Sequence, residues 1–144
     1  MWAELKAKLK SILEANDLIQ EVFDWEVGEF TGDPACTLTP SANESDYETT
    51  TENRRVYAFM IRLFVDRGSR KDQDAEQVMI GLVDSVIDDF DKDYTLSGIT
   101  QPTGYTMLFV EALPASWGYV GRENAYRVAE ITVRCHIDVD VNLI

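Results

Sequence analysis

Apolar and polar positions along the 144-residue chain follow two different periods, and each period predicts its own elements. Trp2, Leu5, Leu9, Ile12 and Leu13 recur at helical spacing, with Lys6, Lys8 and Lys10 on other faces. That pattern predicts a short amphipathic helix, stopped by Asn16-Asp17. A second, longer helix is predicted from about Asp72 to Phe90. Its apolar stripe is Ala75, Val78, Met79, Leu82, Val83, Val86, Ile87 and Phe90. Ser69 with Asp72, or Asp72 itself, offers N-cap chemistry. Elsewhere the period is two. Ala129, Ile131, Val133, Cys135, Ile137, Val139 and Val141 alternate with Glu130, Thr132, Arg134, His136, Asp138 and Asp140, which predicts a strand with one buried face. Arg54 to Asp66 is different. Tyr57, Phe59, Ile61, Leu63 and Val65 form one apolar face, and Val56, Ala58, Met60 and Phe64 make the other nearly as apolar. Such a strand is expected at the centre of its sheet, or covered on both sides.

The remaining segments give weaker signals. Leu18 to Trp25 is expected as a strand, with a short one from Ala35 to Thr39 after the Gly32-Asp33-Pro34 turn. Tyr105 to Leu113 is expected as another, broken by Pro114-Ala115-Ser116, before Trp117-Gly118-Tyr119-Val120 begins the next. Gly121 then turns the chain into the last strand. Residues 40–53 are almost wholly polar and are expected as a long exposed loop, with a second loop over about 95–104. The class that emerges is one α+β domain over 1–144, a largely antiparallel or mixed sheet with two long strands packed by two helices. The last strand also raises a question of size. Tyr126 to Val141 would extend about 50 Å, against a diameter of roughly 37 Å for a compact domain of this length. Either it curls, or its end projects and pairs with a neighbouring subunit.

Charge changes the picture most. Thirteen Lys and Arg against twenty-six Asp and Glu leave a formal charge of −13. A broad phosphate-neutralising face is therefore not expected, and neither is docking on an anionic membrane. A hydrophobic fraction of 45% is that of a globular protein. No apolar run approaches the roughly 18–20 residues that span a bilayer, and the N-terminus has no apolar signal region. These features lead to the expectation of a product made in a cytoplasm. From Ser11 to Asn53 acids accumulate without one Lys or Arg among them. Cys36 and Cys135 lie in no C-x-x-C motif; a disulfide between them or two buried free thiols fits, and free thiols are the expected state.

The catalytic inventory is thin, and no enzyme, cofactor or metal is expected. His136 is the sole histidine and sits on the polar face of a strand, within reach of Arg134 and Asp138. None of the common phosphate-loop, dinucleotide, serine-hydrolase or zinc-protease motifs occurs. Asp89, Asp91 and Asp93 copy the first ligands of a calcium loop, but Tyr94 stands where the turn glycine belongs and Thr100 where the bidentate glutamate belongs. A small calcium- or ligand-binding module therefore remains only as an alternative class. Asp84, Asp88, Asp89 and Asp91 lie toward a helix C-terminus, where the macrodipole disfavours negative charge, so they form a candidate acidic surface kept for another reason. Trp117 and Tyr119 on a Gly-flanked hairpin read as core packing or as an intersubunit anchor.

In its order and spacing the chain resembles the tail-terminator (tail-completion) proteins of long-tailed bacteriophages. The likeness is carried by the N-terminal helix, the acidic polar segment, and Arg54-Arg-Val-Tyr-Ala-Phe-Met-Ile-Arg-Leu-Phe-Val-Asp66. Ala75-Glu-Gln-Val-Met-Ile-Gly-Leu-Val-Asp-Ser-Val-Ile-Asp88, Ser116-Trp-Gly-Tyr-Val120 and Tyr126-Arg-Val-Ala-Glu-Ile-Thr-Val-Arg-Cys135 complete it. The resemblance implies a structural virion protein of the tail or neck. Copies of it would form a ring, usually a hexamer, that caps the tail-tube protein and joins a head-completion protein. DNA would pass through the ring without being stably bound. On that reading Tyr47, Trp117, Tyr119 and Arg122 are candidates for the subunit or tube interface, and Asp84, Asp88, Asp89 and Asp91 for an acidic lumen. A head-side stopper or connector of the neck is the competing member of the same class.

Overall fold

The computed structural model describes the backbone of residues 1–144 and every side chain except those of Ala115 and Asn124. Leu5, Leu9 and Leu13 fall one helical turn apart, so α1 (Trp2–Glu14) buries one row of leucines and leaves its lysines outside. The predicted second helix forms as α2 (Asp72–Lys92), burying Ala75, Met79, Leu82, Val83, Val86 and Phe90. Its N-cap position is Lys71, and no side chain caps it, so neither Ser69 nor Asp72 plays the expected role. Arg67 holds the Asp72 carboxylate at 3.0 Å instead. None of the helices is long and apolar enough to cross a membrane.

Five strands make one mixed sheet in the order β1-β2-β3-β5-β4. They are β1 (Glu21–Phe23), β2 (Ala35–Tyr47), β3 (Glu52–Asp66), β4 (Tyr105–Val120) and β5 (Tyr126–Asp140). The pairing of β1 with β2 is parallel and all others are antiparallel. The fold is α+β, as expected, and β3 takes the central place that its two apolar faces foretold. Tyr57, Phe59, Ile61, Leu63 and Val65 join Leu5, Leu9, Leu13 and the α2 stripe in one apolar cluster, so both helices lie on the same side of the sheet. Trp2 docks edge-on against Tyr57 and Phe59, with centroids 4.9 and 5.1 Å away.

Several boundaries differ from the sequence expectation, each for a physical reason. The segment expected as a 40–53 loop is exposed but paired. Ala42 to Tyr47 run antiparallel to Ala58 to Asn53, leaving only a tight turn between β2 and β3. Polar side chains hid this strand because neither of its faces is buried there. The expected break at Pro114 is a bulge inside one continuous strand, tolerated because β4 lies at the sheet edge where a missing N–H leaves no bond unmade. Leu18 to Trp25 shrinks to three strand residues.

The last strand does not overshoot. It pairs along its length with β3 on one side and β4 on the other, so it lies inside the sheet and offers no free edge to a neighbour.

The side of the sheet away from the helices is closed by other means. Phe30, in the segment after β1, lies 4.5 Å from Phe64 and 5.6 Å from Tyr126, which covers the lower end of that face. Farther up, cross-strand ion pairs cover it. Arg62 bridges Glu26 and Glu130, Arg134 reaches Glu44 at 2.9 Å, and Arg54 Nε lies 2.6 Å from Asp138. The apolar core on the other side therefore carries the stability. Phe59→Ala is expected to cost about 3–5 kcal/mol in urea denaturation, whereas Tyr47→Ala on the exposed ribbon should stay within about 0.5 kcal/mol.

Candidate interaction surfaces

The interface candidates separate into two places. Trp117, Tyr119 and Arg122 gather where β4 turns into β5, and Tyr47 stands at the far end of the sheet on β2, beyond the three residues that β1 pairs with. Gly121 at φ 88° makes the turn at the first of these corners, a conformation that favours glycine. Trp117 and Tyr119 are each a little under half exposed, at 42% and 49%, so core packing does not hold them. What holds them is Arg127. Its guanidinium lies 5.4 Å from the Trp117 ring centre and 4.7 Å from that of Tyr119, and it donates to the Gly118 carbonyl at 2.9 Å. The same guanidinium donates to both Glu76 oxygens, at 2.7 and 3.2 Å, and so ties the hairpin to α2. Arg67 stacks on the same tyrosine at 4.7 Å.

The sequence reading missed this clamp, although a signal for it exists. Arg127 continues the inward phase of Ala129 and Ile131, and a cation on a core-facing position calls for a partner. Both thiols occupy the same inward layer. Cys36 and Cys135 are free and fully buried, and burial pushes their pKa values up to about 12, which leaves them inert.

The acidic candidates also divide. Asp84, Asp88 and Asp91 are exposed and follow one another at helical spacing down the solvent side of α2. Asp89 leaves that row. It accepts a bond from Asn16 Nδ2 at 2.8 Å, and the same amide donates to Ser85, so Asp89 fastens the end of α1 to α2. Asp93, the third ligand of the calcium-like motif, is occupied by Ser97 and by Lys8 at 3.6 Å. Among the described residues no three His, Cys, Asp or Glu side chains are grouped to hold a metal ion.

His136 differs from its expected surroundings. Its partners are neither Arg134 nor Asp138. The ring stacks on Phe109 with centroids 4.2 Å apart, and Nε2 lies 2.9 Å from a Glu111 oxygen, both residues belonging to β4. Neither a serine nor a thiol stands in this group, so it has the make-up of a packed cross-strand cluster on the ion-paired face. An open depression of about 590 Å³ lies between α1 and the loop after α2, and its charged lining is Glu4 and Lys8. Glu4 pairs with the terminal amine and Lys8 with Asp93, which leaves neither poised for proton transfer.

No protein-family model matches the chain, and no curated protein matches it. Among solved structures it is similar to a chain of the "Virion of native gene transfer agent (GTA) particle". The two are 15% identical with a TM-score of 0.63, and the match covers 93% of this chain and 94% of that one. At that identity the likeness establishes a shared fold.

The clamp makes stability depend on pH. The Arg127 guanidinium beside Glu76 holds that carboxyl below its ordinary value of 4.5. A lowered folded value means that the contribution is complete at neutral pH and fades as pH falls through the acid range below it. Urea midpoints measured from about pH 6 to about pH 3 should fall less steeply for Glu76→Gln than for the unaltered protein. Equal slopes would show that the clamp carries no acid-sensitive stability.

Proposed function

We propose that this chain is a structural virion protein, a tail terminator that closes the tail tube and joins the finished tail to the head. The observation that carries the reading is the fold shared, over nearly the full length of both chains, with a component of a virion particle. The arrangement of side chains agrees with it. Charged groups are largely engaged with one another in cross-strand pairs, and large aromatic side chains stand on the surface at Tyr47, Trp117 and Tyr119. Half-exposed Trp and Tyr are side chains suited to anchoring protein contacts, so these three and Arg122 are assigned to contacts with other subunits or with the tube.

On this reading copies of the chain assemble into a ring, with a hexamer as the expected number, between a tail-tube protein and a head-completion protein. The −13 charge then has a mechanical sense. A channel that must let DNA slide is served by walls that repel phosphate, because the repulsion opposes adsorption at every step. The exposed row of Asp84, Asp88 and Asp91 is assigned to that wall, with Asp89 beside it.

Omitting the chain from particle assembly is the direct test. Tails of uncontrolled length, or tails left unjoined to full heads, are the expected outcome in electron micrographs. Tails of normal length beside heads that lose their DNA would transfer the chain to the head-side stopper, and normal particles would refute a virion role altogether. The lumen assignment has its own readout. Replacing Asp84, Asp88 and Asp91 together by Lys should leave particle yield intact and lower DNA delivery by about tenfold. Unchanged delivery would place that row on the outer wall.

A further inference from the structure

We infer that the two free edges of the sheet are the two halves of one contact between copies, the upper part of β2 in one subunit pairing antiparallel with the lower part of β4 in the next. The inference rests on the ring reading above and specifies how that ring closes.

The argument starts from what is left uncovered. β1 pairs only with Ala35 to Thr37, so β2 has an open outer edge from Leu38 onward. On the opposite side of the sheet, the loop after α2 covers the upper half of β4. There the Met107 N–H is bonded to Gln101 at 2.7 Å and the Val110 N–H to the Tyr94 carbonyl at 2.7 Å. Its lower half has no such cover. Each strand also has a bulge beside a proline, between Pro40 and Ala42 and between Pro114 and Ser116. Such interruptions discourage indiscriminate edge pairing and leave two short regular stretches, Ala42–Tyr47 and Ser116–Val120. They lie at diagonally opposite corners.

Topology makes the two stretches compatible. β2 and β5 run one way, and β3 and β4 run the other. Setting the β2 edge of one copy beside the β4 edge of another, with neither copy turned over, therefore gives an antiparallel pair. A ring with cyclic symmetry demands a heterologous contact between two different patches, as these are. The side chains are in phase as well. Tyr47 lies opposite Asn53, and Tyr119 lies opposite Arg127, so both tyrosines belong to the helix side of the sheet. Trp117, opposite Ala129, shares that side. A register with Tyr47 across from Trp117 puts Ser45 across from Tyr119 and Glu44 across from Val120, the last residue of β4. Glu44 then lies close to Arg122 in the turn that follows. Aromatic pairs across strands are stabilising, and so are opposite charges brought close at the strand ends. The Arg122 guanidinium has no ion-pair partner among the described residues. Pairing β2 with a second β2 would instead set Glu44, Asp46 and Glu48 against their own kind. Charge selects the mixed contact.

Crosslinking tests the geometry on the full chain. Oxidising the double variant E44C/V120C at high concentration should produce a ladder of disulfide-linked oligomers, while E44C and V120C alone give at most a trace of dimer. Cys36 and Cys135 are buried and contribute no background. A mixing experiment tests the polarity. Tyr47→Asp and Arg122→Glu should each weaken self-association by about tenfold or more while retaining the unaltered circular-dichroism spectrum. Mixed together, they should form one-to-one dimers and nothing larger, because each supplies the half that the other lacks. Protein that is monomeric throughout, or oligomers that form without the 44–120 crosslink, would overturn the contact. The second result would leave the ring itself standing. Normal tails in particles lacking the chain would remove the proposed role and leave the crosslink untouched.

Discussion

Every residue of β3 from Glu52 to Asp66 has a partner on β5, from Asp140 back to Tyr126, and both helices lie on one side of that ladder. The rest of the molecule answers to this arrangement. On the helix side most inward residues are Phe, Ile, Leu and Val covered by α1 and α2, and the inward Arg127 is held by Glu76. On the other side no helix is present, and the two central strands still need cover. Phe30 supplies it at the lower end, and Arg54, Arg62 and Arg134, whose charged ends meet carboxylates, lie over the rest. The outward face of β5 is therefore half-buried, although its sequence alternates apolar with polar.

Confining the long central strands also decides where the molecule is unfinished. With β5 paired on both sides, the longer unpaired stretches of backbone lie on β2 and β4, at corners that β1 and the loop after α2 do not reach. One corner is acidic and carries a tyrosine. The other has a tryptophan and a tyrosine stacked on Arg127, with Arg122 beside them. The two corners therefore differ in charge and in aromatic content.

The legibility of these features in the sequence follows burial. Where one face is buried, as in α1, α2 and β5, hydrophobic spacing located the element within a few residues. Where neither face is buried, spacing is silent, and the ribbon of Ala42 to Tyr47 was expected as a loop. Pro114 misled for a related reason, since a proline stops a strand only if its N–H was needed, and at an edge it is not. The site candidates show the same division. Asp84, Asp88 and Asp91 share a row because a helix enforces it, whereas the turn of Asp89 toward Asn16 depends on where α1 ends, some seventy positions earlier.

By itself the sequence determined the composition of the layers, the central position of β3 and the excess of acid, since each is a property of local spacing or of a sum over residues. The tertiary structure alone decided which charges are free. Arg127 is committed to Glu76 and two aromatic rings, His136 to Phe109 and Glu111, and Arg54 to Asp138. Each of these partners comes from another element, brought close by the order of strands in the sheet. Side-chain spacing along one strand holds no record of that order, because any neighbour of suitable polarity would satisfy the same pattern.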